Sequence, residues 1–259
     1  MPLDSVTLSA LSAELCRCLT GAKIDKVQQP ERSTVLLTLH SQTGNYRLAL
    51  CGGVGNARVH LTEASYENPS QPPMFCMLLR KHLVGARISA LEQPGRERIL
   101  IFHLDAYDEL GVPMTKKLVV EMIGRATNII LVDAEERIIS CMRRVDGEMN
   151  TARQILPGLI YRLPDRQACP DFFSLTSEER HKIWAGYGGD LSVDTWLLEQ
   201  FSSLSPLICR ELVHRCMGDL STMPDAMDSL AETVNDNDRA YIPLSKSSFP
   251  VIVIATGSK

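Results

Sequence analysis

The chain has 259 residues, of which 44% are hydrophobic and 22% are charged, and its formal net charge at pH 7 is −4. This length is enough to bury a sizeable core and to form two domains. The negative net charge excludes a uniformly basic surface of the kind that coats nucleic acid, but it does not exclude a local basic region.

The sequence indicates neither a membrane anchor nor a metal site. No apolar run approaches the length of about 20 residues that spans a bilayer, and the start, MPLDSVTLSA, lacks the pattern of a secretion signal. We therefore expect a cytoplasmic protein with no membrane partner. The eight cysteines are scattered without a C-x-x-C pair, so we expect buried, reduced thiols and neither a metal nor a cofactor.

The first part of the chain reads as one helix followed by short strands. In residues 5–19 leucines recur at helical spacing, with Asp4 or Ser5 as the N-cap and Gly21 as the stop. Strand-like segments follow at 23–29, 33–40, 45–51 and 57–62. Turn residues separate these segments, so they predict an antiparallel meander.

A second helix is predicted after Pro73, where residues 74–83 form an amphipathic segment that stops at Gly85. Further strand-like segments lie at 87–92, 99–105, 116–123, 127–133 and 137–143. The chain before residue 145 is thus predicted to hold about nine strands and two helices.

Beyond the strands the hydrophobic pattern changes to a helical period. Thr176 and Glu179 have the spacing of a capping box, and further helices are predicted at 192–201 and 205–216. We therefore predict an α+β protein. Its predicted parts are a β-rich domain over 1–170, a helical domain over 171–222, and an acidic helix or linker leading into a following region over 223–259.

The stretch QPGRERILIF, residues 93–102, combines two arginines and a glutamate just before an apolar strand. If Arg96, Glu97 and Arg98 begin that strand, the two guanidinium groups leave one face and the carboxylate leaves the other. Arginine forks suit phosphates or base edges, and a carboxylate beside them can orient an arginine. A solvated turn without function is the alternative.

The segment between the last two predicted helices has the form of a helix-hairpin-helix turn. In such a turn, backbone N–H groups at the start of a helix meet a nucleic-acid phosphate. Ser205 and Leu207 are the candidate phosphate contacts here, and a plain helix connection is the alternative.

Three separated stretches of the sequence carry a resemblance to a known family. They are MPLDSVTLSALSAELCRCLTGAKIDKVQQPE, PPMFCMLLRKHLVGARISALEQPGRERILIF and EMIGRATNIILVD. The chain resembles, from residue 1 to about residue 220, the NFACT family, whose bacterial RqcH members are often labelled fibronectin-binding protein A-like and whose eukaryotic relative is NEMF.

The resemblance implies both a fold and a function. It implies a split β-barrel domain like that of formamidopyrimidine-DNA glycosylase, then a helix-hairpin-helix domain, with this chain an N-terminal fragment. It also implies a factor of ribosome-associated quality control that binds an obstructed large ribosomal subunit carrying peptidyl-tRNA. Such a factor recruits alanine tRNA and supports template-independent alanine tailing. The ribosome forms the bond in the family, so we expect no catalytic residue.

The resemblance also implies site residues. An Asp-Arg pair that engages tRNA in the family falls on Glu97 and Arg98, where glutamate replaces aspartate. Asp4 matches a further aspartate of the family, and Arg125 matches a basic residue, although Ala126 replaces the histidine that usually follows. We expect tRNA phosphates to dock on a continuous basic ridge. The predicted ridge consists of Arg80, Lys81, Arg87 and Arg96.

Two other functions stay open from the sequence. Glycosylases of the related superfamily use an N-terminal proline, which would be Pro2 here, but Leu3 replaces the glutamate that follows it and the zinc-finger cysteines are missing. The label fibronectin-binding suggests a surface adhesin, for which the chain shows no secretion signal.

Overall fold

The computed structural model of the chain describes residues 3–42, 44–108, 110–149, 153–165 and 168–235. Nine strands form one antiparallel sheet in the order β4-β3-β2-β1-β5-β6-β7-β8-β9. The strands are β1 (Lys23–Glu31), β2 (Thr34–Ser41), β3 (Gly44–Cys51), β4 (Arg58–Leu61), β5 (Arg87–Glu92), β6 (Ile99–Tyr107), β7 (Pro113–Glu121), β8 (Asn128–Val132) and β9 (Ile138–Cys141). The helices are α1 (Ser5–Leu19), α2 (Met74–Leu83), α3 (Ser177–Trp184), α4 (Val193–Gln200), α5 (Pro206–Arg215) and α6 (Met223–Asn235).

The sheet is curled but open. Strands β1 and β5 pair only briefly around Lys23 and Arg87, which divides the sheet into two halves. The halves curl toward each other until the Thr127 hydroxyl, just before β8, donates a hydrogen bond of 2.9 Å to the carbonyl of Gly52, just after β3. Strands β4 and β9 are still the outer strands in the described residues. The predicted split β-barrel is therefore corrected to an open antiparallel sheet.

Helices α1 and α2 pack on the inner face of the curled sheet. Alternate residues of β6 show why, because Leu100 and Phe102 join the core under these helices, whereas Ile99 and Ile101 face outward. The outward residues are covered by a second core that includes Tyr161. Both faces of β6 are therefore buried, which explains its continuous apolar sequence.

The last four helices form a unit with a core of its own. Its centre holds Phe172 and Phe201, whose ring centroids lie 5.2 Å apart in an edge-to-face arrangement. Helix α6 buries Met227 and Leu230 in this core. Residues 223–235, predicted as an acidic helix or linker, are thus a packed helix, and residues 236–259 lie outside the described residues.

Candidate nucleic-acid interface

The turn between β5 and β6 holds the arginines and the glutamate singled out in the sequence. Residues Pro94–Arg96 form a 3-10 turn in which Gly95 and Arg96 both have positive φ, of 50° and 54°. The amide of Glu97 closes the turn by donating to the carbonyl of Pro94 at 2.9 Å. The strand begins only at Ile99. The expectation that Arg96 and Arg98 leave the same face of a strand was therefore wrong.

Arg96 is held by residues of the helical unit. Its Nη2 donates to Asn235 Oδ1 at 2.9 Å, and its Nε lies 3.9 Å from Asp171 Oδ2. Its guanidinium carbon also lies 5.0 Å from the centroid of the Phe173 ring, a cation–π arrangement. The side chain predicted to bind an RNA phosphate is thus held by contacts within the molecule.

Glu97 and Arg98 differ from Arg96 because only their backbones are held. The Gln93 amide donates to the carbonyl oxygens of Glu97 and Ser5, at 2.9 and 3.0 Å, and the carbonyl of Arg98 accepts from Met122 N at 2.8 Å. Both side chains are half-exposed and form no hydrogen bond or ion pair with any described residue. A carboxylate and a guanidinium are therefore half-exposed on a backbone that hydrogen bonds hold in place.

Arg125 lies at the same end of the sheet. Ile99 pairs with Glu121, so the turn before β6 and the 3-10 turn Gly124–Ala126 after β7 lie side by side. The Arg125 side chain is exposed, and its carbonyl accepts a hydrogen bond of 2.9 Å from Arg143 Nη1. Three side chains, Glu97, Arg98 and Arg125, thus define what we call the arginine end of the sheet.

Asn128 and Arg143, which the sequence analysis did not single out, hold the Gly124–Ala126 turn in place by hydrogen bonds. Asn128 Nδ2 donates to the carbonyl of Arg143 at 2.7 Å, and Asn128 Oδ1 accepts from the amide of Arg143 at 3.0 Å. The only signal for Asn128 was its place in the stretch EMIGRATNIILVD, which carries the family resemblance. Its partner Arg143 lies just after β9, and β8 and β9 must pair before the contact forms, so the contact left no local signal in the sequence.

Asp4 is an N-cap that also reaches the helical unit. Its Oδ1 accepts from Thr7 N at 2.7 Å, and its Oδ2 accepts from the Ser205 hydroxyl at 3.1 Å. Ser205 in turn caps α5 by accepting from Ile208 N at 3.3 Å. A carboxylate already faces the position predicted for a phosphate, so the α5 start is an unfavourable anion site. Leu207, in the first turn of α5, is 48% exposed.

The other predicted basic residues lie at the opposite end of β5. Arg87 is the first residue of the strand and pairs with Asp105, whereas the turn bearing Arg98 follows its last residue. At a rise of about 3.3 Å per residue, the strand separates the two ends by about 20 Å. Arg87 and Arg80 donate to the carbonyls of Gly21 and Val27, and Lys81 is exposed. The predicted continuous ridge is thus two separate basic groups.

Neither a metal-binding cluster nor a membrane-spanning helix occurs in the described ranges. No group of three or more His, Cys, Asp or Glu side chains there could hold a metal ion. None of the helices in those ranges has the length and apolar character needed to cross a membrane. Pro2, on which the glycosylase hypothesis depended, lies outside the described residues.

Comparison with models of protein families shows to which family the chain belongs. A family model described as NFACT N-terminal and middle domains matches residues 4–249. The chain belongs to the NFACT family. Its similarity to the Rqc2 homolog RqcH of Bacillus subtilis amounts to 36% identity over 245 residues, which is 94% of this chain and 42% of that protein.

The chain is also similar to a human protein and to a solved bacterial structure. The human ribosome quality control complex subunit NEMF is 31% identical over 140 residues, 54% of this chain and 12% of that protein. The N-terminal structure of the fibronectin/fibrinogen-binding protein from Streptococcus suis superposes with a TM-score of 0.79 at 30% identity, covering 89% of this chain and 84% of that one. The chain spans less than half the length of these curated relatives.

Proposed function

We propose that this chain is the tRNA-binding part of a ribosome quality control factor, with the arginine end of the sheet as its tRNA contact. In this proposal Arg98 forms a forked contact to a phosphate or a base edge. Glu97 either orients that guanidinium or accepts a hydrogen bond from a base amine. Arg125 adds a phosphate contact beside them.

The observation that carries the proposal is the contrast between two neighbouring arginines. Arg96 is held by three residues of the helical unit, whereas Glu97 and Arg98 have hydrogen-bonded backbones and side chains that form no hydrogen bond or ion pair within the described ranges. A charged pair without an internal partner stabilises the fold little, so a role in binding accounts for it better. The names of the RqcH and NEMF relatives support a role at the ribosome.

The wider assignment follows from the same family. The proposed partners are alanine tRNA and the large ribosomal subunit obstructed by peptidyl-tRNA, and the proposed outcome is template-independent alanine tailing in the cytoplasm. The proposal gives this chain no catalytic residue, since the ribosome forms the peptide bond. Arg80, Lys81 and Arg87 would form a second, sequence-independent phosphate contact about 20 Å from the arginine end.

Filter binding with alanine tRNA tests the proposed contact. The variants are Glu97→Ala and Arg98→Ala, and the matched control is Arg137→Ala, an exposed arginine in the turn between β8 and β9. We expect the first two to weaken binding by about tenfold, the size of a charged hydrogen bond, and the control to bind as the wild type. Equal binding by all four proteins would refute the proposed role of the pair.

A second function is favoured by the names of the structural relatives. Structures of similar fold carry the titles of a fibronectin/fibrinogen-binding protein and a fibrinogen binding protein. Saturable fibronectin binding by intact cells, together with protein outside the membrane, would support an adhesin. Retention of all the protein inside the cells would exclude it.

A further inference from the structure

Arg96 links the turn that carries the proposed tRNA contact to the helical unit. Its three partners, Asp171, Phe173 and Asn235, all belong to that unit, and Phe173 is only 4% exposed. Asn235 is itself fixed, since its Nδ2 donates to the carbonyl of Phe173 at 3.2 Å. We call Asp171, Phe173 and Asn235 the Arg96 socket, and the bond from Asn235 to Phe173 does not involve the guanidinium.

The backbone of Arg96 is strained, and the socket explains why the strain persists. A residue with a side chain and a φ of 54° adopts a left-handed conformation that disfavours every residue except glycine and, to a lesser degree, asparagine and aspartate. Such conformations survive where surrounding contacts hold them. The Arg96 side chain makes such contacts with the helical unit, and the turn itself is closed by the bonds from Glu97 N to Pro94 O and from Gln93 Nε2 to Glu97 O.

We infer that Arg96 is a positioning residue, which sets the turn so that Glu97 and Arg98 face the ligand only when the helical unit is docked. The inference deepens the proposed function and rests on it. Two further hydrogen bonds join the start of the chain to the helical unit and support the inference. The Ser5 hydroxyl donates to the carbonyl of Ser203 at 2.6 Å, and the Ser205 hydroxyl donates to Asp4. Movement of the helical unit would therefore disturb the turn through Arg96.

Two variants separate positioning from direct contact with RNA. Arg96→Gly removes the side chain from the socket and at the same time relieves the backbone strain, so loss of folding is not expected. Asn235→Ala leaves Arg96 in place and removes one wall of its socket. If Arg96 only positions the turn, both variants weaken tRNA binding to a similar extent, by about tenfold. Neither should weaken it further when Glu97→Ala and Arg98→Ala are already present together.

Amide hydrogen exchange gives a readout that needs no RNA. We expect both variants to speed exchange at the Glu97 amide by about tenfold or more, because its bond to Pro94 opens more often. Unchanged exchange at Glu97 in both variants would overturn the inference. So would normal tRNA binding by Asn235→Ala together with a loss in Arg96→Gly that adds to the loss of the Glu97→Ala, Arg98→Ala double variant, since that pattern identifies a direct contact.

The two proposals can fail separately. If Arg98→Ala binds tRNA as well as the wild type, the proposed function fails, and exchange at Glu97 alone decides whether Arg96 sets the turn. If Arg98→Ala loses binding while Arg96→Gly and Asn235→Ala bind normally, only the positioning role fails.

Discussion

Two arginines separated by a single residue illustrate how backbone conformation decides which way a side chain points and what it contacts. Arg96 lies in the left-handed region and turns toward Phe173, while Arg98 precedes the strand and stays half-exposed. Alternation along an extended chain would have placed both on one side. Pro94 and Gly95 favour the turn that the structure shows, but Arg96, Glu97 and Arg98 were expected to begin the strand that follows it.

Glu97 permits a test of the geometry of the proposed contact. Glu97→Asp keeps the charge and draws it back by one methylene, whereas Glu97→Gln keeps the length and removes the charge. If charge is what matters, we expect Glu97→Asp to bind alanine tRNA within about threefold of the wild type and Glu97→Gln to bind about tenfold more weakly. Filter binding measures both, and a larger loss for aspartate than for glutamine would show that reach matters more than charge.

A buried ion pair on the outer face of the sheet is expected to control stability. Glu121 is fully buried, and Arg153 Nη2 and Nη1 lie 2.5 and 3.1 Å from its two oxygens, while the Tyr161 hydroxyl donates to it at 2.8 Å. Burial beside this carboxylate raises the pKa of Tyr161. Arg153→Met leaves the carboxylate without its cation. We therefore expect the free energy of unfolding, measured by urea titration, to fall by about 3–5 kcal/mol.

The control for this prediction is an exposed ion pair nearby. Lys117 pairs with Glu136, and both side chains are substantially exposed. Lys117→Met should change the free energy of unfolding by no more than about 1 kcal/mol. A cost for Arg153→Met as small as that of Lys117→Met would contradict the assignment of a stabilising role to the buried pair.

At the scale of elements, local patterns predicted the helices well. The predicted bounds of α1 and α2 agree with the structure, and the capping box of Thr176 and Glu179 is present. Caps and helical spacing are set by neighbours in sequence, so they can be read locally. Strand ends were predicted less accurately. The structure extends β6 beyond residue 105 to Tyr107 and begins β7 before residue 116, at Pro113, because pairing between these two strands sets their limits.

Helix α6 is tied to α3 by a carboxylate whose protonation should affect stability. Partial burial raises the pKa of Asp228, but hydrogen bonds from Ser177 and Arg180, with the positive charges of His181 and Arg180, outweigh it and leave the pKa below its ordinary value of 3.8. A depressed folded pKa adds stability that is complete above the unfolded value and is lost as the pH falls through the folded value.

The carboxylate of Asp228 should therefore stabilise the fold at neutral pH and cease to do so in acid. Asp228→Asn should destabilise the protein at about pH 6, and the difference from the wild type should shrink below about pH 4. Asp225→Asn is the matched control on the same helix, since Asp225 is exposed. Urea unfolding across this pH range measures the effect, and a difference that stays constant with pH would contradict the ionic role.

At the scale of the whole molecule, what the sequence could not supply was contact between distant segments. Curling of the sheet brings Thr127 to Gly52, and docking of the helical unit brings Asn235 to Arg96. Neither contact leaves a periodic or local mark on the sequence. For the same reason the basic residues were predicted as one ridge, although β5 separates them into two groups.

The proposed function depends on tRNA lying against the arginine end of the sheet, and photo-crosslinking tests this most directly. A photoreactive amino acid replaces Ala126, which is exposed beside Arg125, or Ala134, an exposed control alanine in the turn between β8 and β9. Neither position is a proposed contact, so binding should be retained. We predict that alanine tRNA crosslinks at position 126 and not at position 134. Crosslinking at position 134 without crosslinking at position 126 would contradict the account.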